Sequence, residues 1–333
     1  MQTALERIRN CSDGKLNFDR LWITELPPLP EGIIDISCSH NHLTSLPELP
    51  SSLRVLSCIH NQLQCLPPLP PSIESITCDN NQLTSLPDLP PSLHVLSCAH
   101  NRLTSLPELP PSLRYLSCVY NQLTQLPDLP STLLNLYCTY NQLTSLPELP
   151  LTLSDCLCIY NHLTKLPPLP PSLYLLTCCH NNLTYIPELP SHLHVLMCSG
   201  NHLTEIPPLP DTLQYLDCNT NDIRILPPLP EGLLILGCEK NPLETLPELP
   251  LHLSSITCEL PVYHEPLEVL HMTPERVQRI NQEIVDWMEM LAQHSRDRCE
   301  MRCAIYKEEI MMKVWHPKRV EKLLEMGYDV EDM

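Results

Sequence analysis

The chain has 333 residues, long enough for one large domain or two ordinary ones, and carries 20 basic against 39 acidic side chains, a net charge of −19. Six glycines, 38 prolines and a single phenylalanine argue against glycine-lined phosphate or cofactor loops and demand an aliphatic core. The acidic balance repels nucleic acid and anionic lipid, and no stretch approaches the roughly 20 apolar residues of a membrane span.

Residues 1–10 (MQTALERIRN) contain no apolar run able to act as a cleaved signal. The expected location is therefore the cytosol, with export by a route that needs no cleaved signal as the alternative. Residues 4–10 read as one or two turns of helix capping the first repeat. Leu16, Phe18, Leu21, Ile23 and Leu26 then open that repeat in degenerate form, with Leu21 standing where later units have Asn.

From there the chain repeats every 20 residues. Asn recurs at 41, 61, 81, 101, 121, 141, 161, 181, 201, 221 and 241, and Cys at every twentieth residue from 38 to 258. One unit reads Leu113-x-x-Leu116-x-Cys118-x-x-Asn121-x-Leu123-x-x-Leu126-Pro127-x-Leu129-Pro130. Leu116 and Cys118 are two apart, so they share the inward face of a short strand, and successive units stack such strands into a parallel sheet. Asn121 falls at the turn, where its amide is expected to satisfy backbone groups of its own and adjacent units. The return segment is too rich in proline for a helix and is expected as extended polyproline II on the outer side. This accounts for 34 of the 38 prolines lying before residue 261. The twelve laddered cysteines read as small apolar filler in a reducing compartment, with inter-strand disulfides or metal ligation as alternatives.

Ile256 and Cys258 keep the pattern, but Pro261 replaces the next Asn, so the array ends there. The expected organisation is a capping segment at 1–15, about 12 repeats at 16–260 and a helical region at 261–333. In that last region Thr273 and Pro274 are an N-cap and first helical position, and Val277, Ile280, Ile284, Met288 and Leu291 share a helix face. Further helices are expected near 298–314 and from His316-Pro317 to Gly327. Trp287 and Trp315 supply area for docking, and the region reads as a hydrophobic cap or as a separate functional module. Cys299 and Cys303 share a helix face and, with His294 or His316, are a zinc alternative short of the usual evidence for four ligands. As an enzyme alternative, the same cysteines would serve a small thiol active site. No Ser/His/Asp grouping, paired carboxylates or glycine loop stands out. No catalysis, cofactor, metal or small-molecule substrate is expected.

The column preceding each Asn varies: His40, His60, Asn80, His100, Tyr120, Tyr140, Tyr160, His180, Gly200, Thr220 and Lys240. Tyr115 and Tyr137 are expected beside it on the same sheet face. Aromatic residues with a polar tip are enriched at binding hot spots. His100, Tyr115, Tyr120, Tyr137, Tyr140, Tyr160 and His180 are therefore the candidate binding residues. The competing reading is that these rings only stabilise one another across strands.

The unit resembles the leucine-rich-repeat template L-x-x-L-x-L-x-x-N-x-L, with Cys in the third Leu position. The resemblance implies a solenoid horseshoe with a parallel sheet on its concave face and polyproline-like convex segments, plus a small α-helical C-terminal cap. The Leu46-Pro47-Glu48-Leu49-Pro50 return, followed by a strand and Asn61-Gln62-Leu63, is similar to the repeats of bacterial secreted effectors of the YopM and IpaH type. In those families the repeats bind host proteins, which implies a host protein partner here. The IpaH type adds a large ubiquitin-ligase domain with a Cys-x-Asp nucleophile. About 73 residues follow the array, and Cys11-Ser12-Asp13 lies at the opposite end, so that activity is not carried over. An adaptor whose tail recruits a ligase is the alternative function. Trp315-His316-Pro317-Lys318-Arg319 with Met326-Gly327-Tyr328-Asp329 is similar to a C-terminal peptide of proteins from amoeba-infecting giant viruses. That similarity implies a viral protein acting in the host cytoplasm, or carried in a virion. The partner is expected to be protein, with no nucleic acid or membrane.

Overall fold

The computed structural model describes residues 2–258. Helix α1 (Gln2–Arg9) comes first, then thirteen three-residue strands among the described residues, from β1 (Lys15–Asn17) to β13 (Ser255–Thr257). They form one parallel sheet in strict chain order. Each strand pairs with the next at an offset of 20 residues, as Tyr115↔Asn135 and Leu116↔Leu136 show. Sequence period and sheet register are thus the same number. The helices expected beyond residue 261, with Trp287, Trp315, Cys299 and Cys303, lie outside the described residues.

Helix α1 closes the first repeat. Ala4 is fully buried, Ile8 packs against the core, and Arg7 donates to the Asn17 carbonyl at the edge of β1. Leu16, Phe18, Ile23 and Leu26 are buried where the degenerate repeat requires them. Every return segment from residue 24 onward is free of helix, consistent with proline removing the donors a helix needs.

The asparagines bond in one pattern from Asn41 to Asn241. Asn121 Nδ2 donates to the carbonyls of Cys98, Cys118 and Val119 at 3.0, 3.1 and 3.3 Å, and its Oδ1 accepts from Leu103 N–H at 2.9 Å. One amide therefore ties its own turn to the preceding repeat from both sides. A second ladder was not foreseen from the sequence. Thr132 Oγ1 donates to the carbonyls of Pro111 and Leu113 at 2.7 and 2.8 Å, and Ser72, Ser92, Ser112, Thr152, Ser172 and Thr212 do the same. Its signal was a hydroxyl residue two places after the second Pro of the return, repeating every 20 residues.

The laddered cysteines are all free thiols, buried from Cys38 to Cys238 and half-buried at Cys258. Several point their sulfur at a carbonyl of the next repeat, as Cys78 Sγ does to Ser97 O at 3.3 Å. Burial pushes the Cys38 and Cys118 thiols up to about 12. The thiolate, the reactive form, is thereby suppressed.

Both ladders can be tested by substitution and labelling. Asn121→Ala leaves buried backbone groups unpaired and should destabilise the protein by about 1–3 kcal/mol, whereas Gln122→Ala, at an exposed position, should leave the denaturation midpoint nearly unchanged. Equal shifts would refute the role of the amide. Thiol labelling of the native protein should spare Cys38 through Cys238 at the ladder positions while modifying the exposed Cys65; denaturation should release the rest. Rapid native labelling of most ladder positions would contradict the core assignment.

Candidate interaction surface

Alternation along each strand sends the middle residue inward and its two neighbours to the outer face of the sheet. In the central repeats these strands are β6 (Tyr115–Ser117), β7 (Asn135–Tyr137), β8 (Asp155–Leu157) and β9 (Leu175–Thr177). Leu116, Leu136, Cys156 and Leu176 point inward and are fully buried. Tyr115, Asn135, Asp155 and Leu175 form one outer row in register, with Ser117, Tyr137, Leu157 and Thr177 as the next.

The variable column before each Asn does not lie in the strands, which end three residues earlier. His100, Tyr120, Tyr140, Tyr160 and His180 have φ between 51° and 54°, the left-handed region that L residues normally avoid. Inter-repeat bonds hold the chain there. Tyr120 N–H donates to Thr139 O at 2.9 Å and Tyr140 N–H to Ile159 O at 2.9 Å, while the neighbouring Asn anchors the turn. Every unit makes the same turn, so the side chains leave the backbone in parallel. Among the described residues the rings then form one continuous stack. Centroids are 4.3 Å apart from His100 to Tyr120, 4.1 Å to Tyr140, 4.4 Å to Tyr160 and 4.2 Å to His180, with planes within 16° of parallel. At the far end, a Cβ on Gly200 would sit 2.6 Å from His180 Nδ1, so the glycine makes room for the last imidazole. A shorter stack, His40 on His60 at 4.6 Å, lies beyond Asn80, and His60 is lowered in pKa by its partial burial and then by His40.

Tyr115 and Tyr137 belong to the sheet face proper. Their rings meet edge to face at 5.4 Å and 87°. The seven expected residues therefore divide into a stacked column along the turn edge and a T-shaped pair on the strands. The expectation of one sheet-borne patch is corrected in that respect, because the left-handed turn lifts the column out of the strand. Tyr120 and Tyr160 are 38% and 37% exposed, whereas Tyr137 is 7% exposed.

The sequence reading missed the polar residues beside the T-shaped pair. Asp155 Oδ2 accepts from Asn135 Nδ2 at 2.6 Å and from Tyr137 Oη at 3.4 Å, and its Oδ1 accepts from Ser154 Oγ at 3.0 Å. It also missed a set of side chains two residues before the repeat asparagine position, which is Leu21 in the first unit. Asp19, Ser39, Asp79 and Asn219 accept from the backbone N–H of Ser39, Ile59, Ala99 and Glu239, one repeat on, at 2.6–3.2 Å. No three His, Cys, Asp or Glu side chains among the described residues converge as a metal site requires.

A family model described as Leucine Rich repeats (2 copies) matches residues 91–131. The chain is similar to YopM, a leucine-rich effector protein from Yersinia pestis, at 30% identity and a TM-score of 0.60, covering 78% of this chain and 93% of that one. It is similar to a Shigella effector leucine-rich-repeat domain at 36% identity, covering 50% and 76%, with a TM-score of 0.43. The leucine-rich-repeat domain of APL1B shares the fold at 19% identity, with a TM-score of 0.57 and coverage of 80% and 92%. No curated protein matches the chain in sequence.

Asp79 supplies a test of the polar set. Burial raises its carboxyl from 3.8 to about 6, against the lowering effect of its bonds from Ser97 and Ala99. A raised carboxyl pKa means that the folded state binds the proton more tightly than the unfolded one. Its favourable contribution is therefore complete below about pH 4 and is lost as pH rises through 6, about two units or roughly 3 kcal/mol. Asp79→Asn keeps an acceptor for Ala99 N–H, as Asn219 does for Glu239. The variant should melt above the parent at pH 7.5, with the gap closing near pH 4. A gap that does not change with pH would show that Asp79 does not titrate in this range.

Proposed function

The chain belongs to the leucine-rich-repeat family, and from that starting point we propose that it captures a protein of a host cell on the ring-bearing face of its sheet. The carrying observation is the ring column from His100 to His180. Five aromatic or imidazole rings are gathered in consecutive central repeats, where Leu, Cys and Asn already fill the core and the turns. Stacking accounts for part of this, at about 0.5–1.5 kcal/mol per pair. It does not account for the polar tip each ring carries, since Phe or Leu would stack without one. A row of rigid amphipathic rings held in place by the backbone loses little entropy on binding, which suits recognition of another protein.

YopM is an effector protein by its description, and the likeness to it supports a host partner. The tail peptide resembling amoebal giant-virus proteins supports an amoebal host cytoplasm as the setting. On this reading the chain has no substrate. Its specificity lies in which rings and charges stand in the variable column and outer rows.

Affinity capture from amoebal lysate with the full chain, followed by cross-linking to locate the contact, tests the proposal. Replacing Tyr120, Tyr140 and Tyr160 together by Ala should abolish capture, since a central hot spot carries about 2 kcal/mol or more. The melting temperature should fall by only a few degrees while unfolding stays cooperative. A folded variant that still captures the same protein would move the functional surface off this column. Should the Ala variant fail to fold, the triple Tyr→Phe variant keeps the stack and isolates the hydroxyls; unchanged capture by it would overturn the role given to the polar tips.

A further inference from the structure

We infer that the N-terminal end of the array carries a phosphotyrosine-binding site, in which Arg20 and His40 hold the phosphate of a partner protein's side chain and Trp22 covers its ring. The site stands apart from the ring column of the central repeats and does not depend on it. Arg20, His40 and His60 are the first three members of the variable turn column, with φ of 57°, 56° and 53°. Arg20 N–H donates to Ser39 O at 3.0 Å, His40 N–H to Ile59 O at 2.8 Å and His60 N–H to Asp79 O at 2.9 Å. The three side chains therefore leave successive turns in parallel. The two imidazoles stack at 4.6 Å with planes 20° apart, and both stay exposed next to Arg20 in the column.

The first unit departs from the others in a way that favours a ligand. Leu21 stands at the Asn position, and Trp22 after it is left-handed, with φ of 56°. Among the described residues no other unit has a left-handed residue at that place. A bulky L side chain is strained there, and Trp22 is also 74% exposed, with the His42 ring tilted beside it at 5.6 Å. Strain and an indole in water both oppose folding, and strain of this kind clusters at ligand-binding positions. Gln62 Nε2 lies 3.4 Å from His42 Nδ1 and steadies that ring. Arg20 is exposed and makes no ion pair among the described residues. The carboxylate next to it in sequence is engaged elsewhere, since Asp19 Oδ1 accepts from Ser37 Oγ and Ser39 N–H, both at 2.7 Å. A guanidinium without a counter-ion, imidazole donors one repeat on and an open indole two residues away match a phosphate carried on an aromatic ring. They supply a fork to the oxygens, further hydrogen bonds to the anion and a stacking face. A phosphoserine would leave the indole unused. The net charge of −19 repels polyanions, whereas a single phosphate on a partner's surface meets the local cation at close range.

The test titrates the full chain into a fluorescein-labelled Ala/Lys peptide bearing one phosphotyrosine, with affinity read by anisotropy. Unlabelled peptide is then added to the parent and to Trp22→Phe, and indole emission is followed. The peptide should bind, and the emission change of the parent should be lost in Trp22→Phe. Arg20→Gln should weaken binding about tenfold or more, and Arg20→Lys several-fold, because an ammonium lacks the fork. Trp22→Ala should weaken it several-fold, and a phosphoserine peptide should bind the parent several-fold less tightly. Arg102→Gln, the same loss of charge at another exposed position, should leave affinity unaltered, as should the triple Tyr→Phe change at 120, 140 and 160. No binding, equal affinity for the unphosphorylated peptide, or indifference to a normally melting Arg20→Gln protein overturns the site. Loss of affinity in the triple variant alone also overturns it and moves the peptide to the central column. Equal affinity for phosphoserine overturns the assignment in favour of a plain anion site, and tighter binding of guanosine monophosphate overturns it in favour of a nucleotide.

Discussion

The inward amide of each repeat asparagine is the interaction on which the rest of the structure depends. A 20-residue turn has no room for a helix, and strands of three residues satisfy few backbone groups by themselves. Each turn therefore leaves buried carbonyls and N–H groups that water cannot reach, and a buried unpaired group costs about 1–3 kcal/mol. Asn answers both kinds from one side chain. Its Nδ2 covers carbonyls on two consecutive repeats and its Oδ1 an N–H on the preceding one, as at Asn121. Asp could not donate, and Gln would carry the amide too far from its own turn. The Ser and Thr ladder does the same work on the return side with a single hydroxyl.

With polar groups satisfied along both edges, the space between them is narrow and dry. Leu fills most of it, and Cys occupies the position nearest the asparagine turn, where a small side chain fits and its thiol can lean on a carbonyl of the next repeat. Burial makes these thiols weak acids. The ladder is consequently a packing device whose chemistry is suppressed, and its many thiols are compatible with a fold that contains no disulfide among the described residues.

The same turn generates the ring column. The residue before the asparagine position takes a left-handed conformation, unfavourable by about 1–2 kcal/mol for an L residue. Inter-repeat backbone bonds hold it there in unit after unit. Identical turns project identical directions, so tyrosines and histidines placed at that position stack without further instruction. Ring contact offsets part of the conformational strain, and the stack becomes a stiff ridge. Beside it the strand rows carry the charges and hydroxyls, with Asp155 set by Asn135, Ser154 and Tyr137.

Much of this was legible in the residue order alone. The 20-residue recurrence of Asn, Cys and Leu dictated a parallel sheet with a register of 20, because each unit can bury its apolar edge only against its neighbours. Prolines ruled out return helices, and inward spacing placed Leu116 and Cys118 in the core. Leu16 and Phe18 revealed a first repeat that lacks its Asn. What the recurrence could not convey was direction. Tyr115, Tyr120 and Tyr137 look equivalent as outward aromatics in a repeat alignment, yet Tyr115 and Tyr137 sit on strands, the second of them buried, and Tyr120 on a left-handed turn. Those differences arise from backbone dihedrals and diagonal contacts between repeats, which depend on how the turns stack. The partnership of Asp155 with Asn135 and Tyr137 is of the same kind. Asn135 and Asp155 share one repeat position but not one residue type, and Tyr137 stands two places on, so no recurring residue marks the group, and only the packed sheet brings it together.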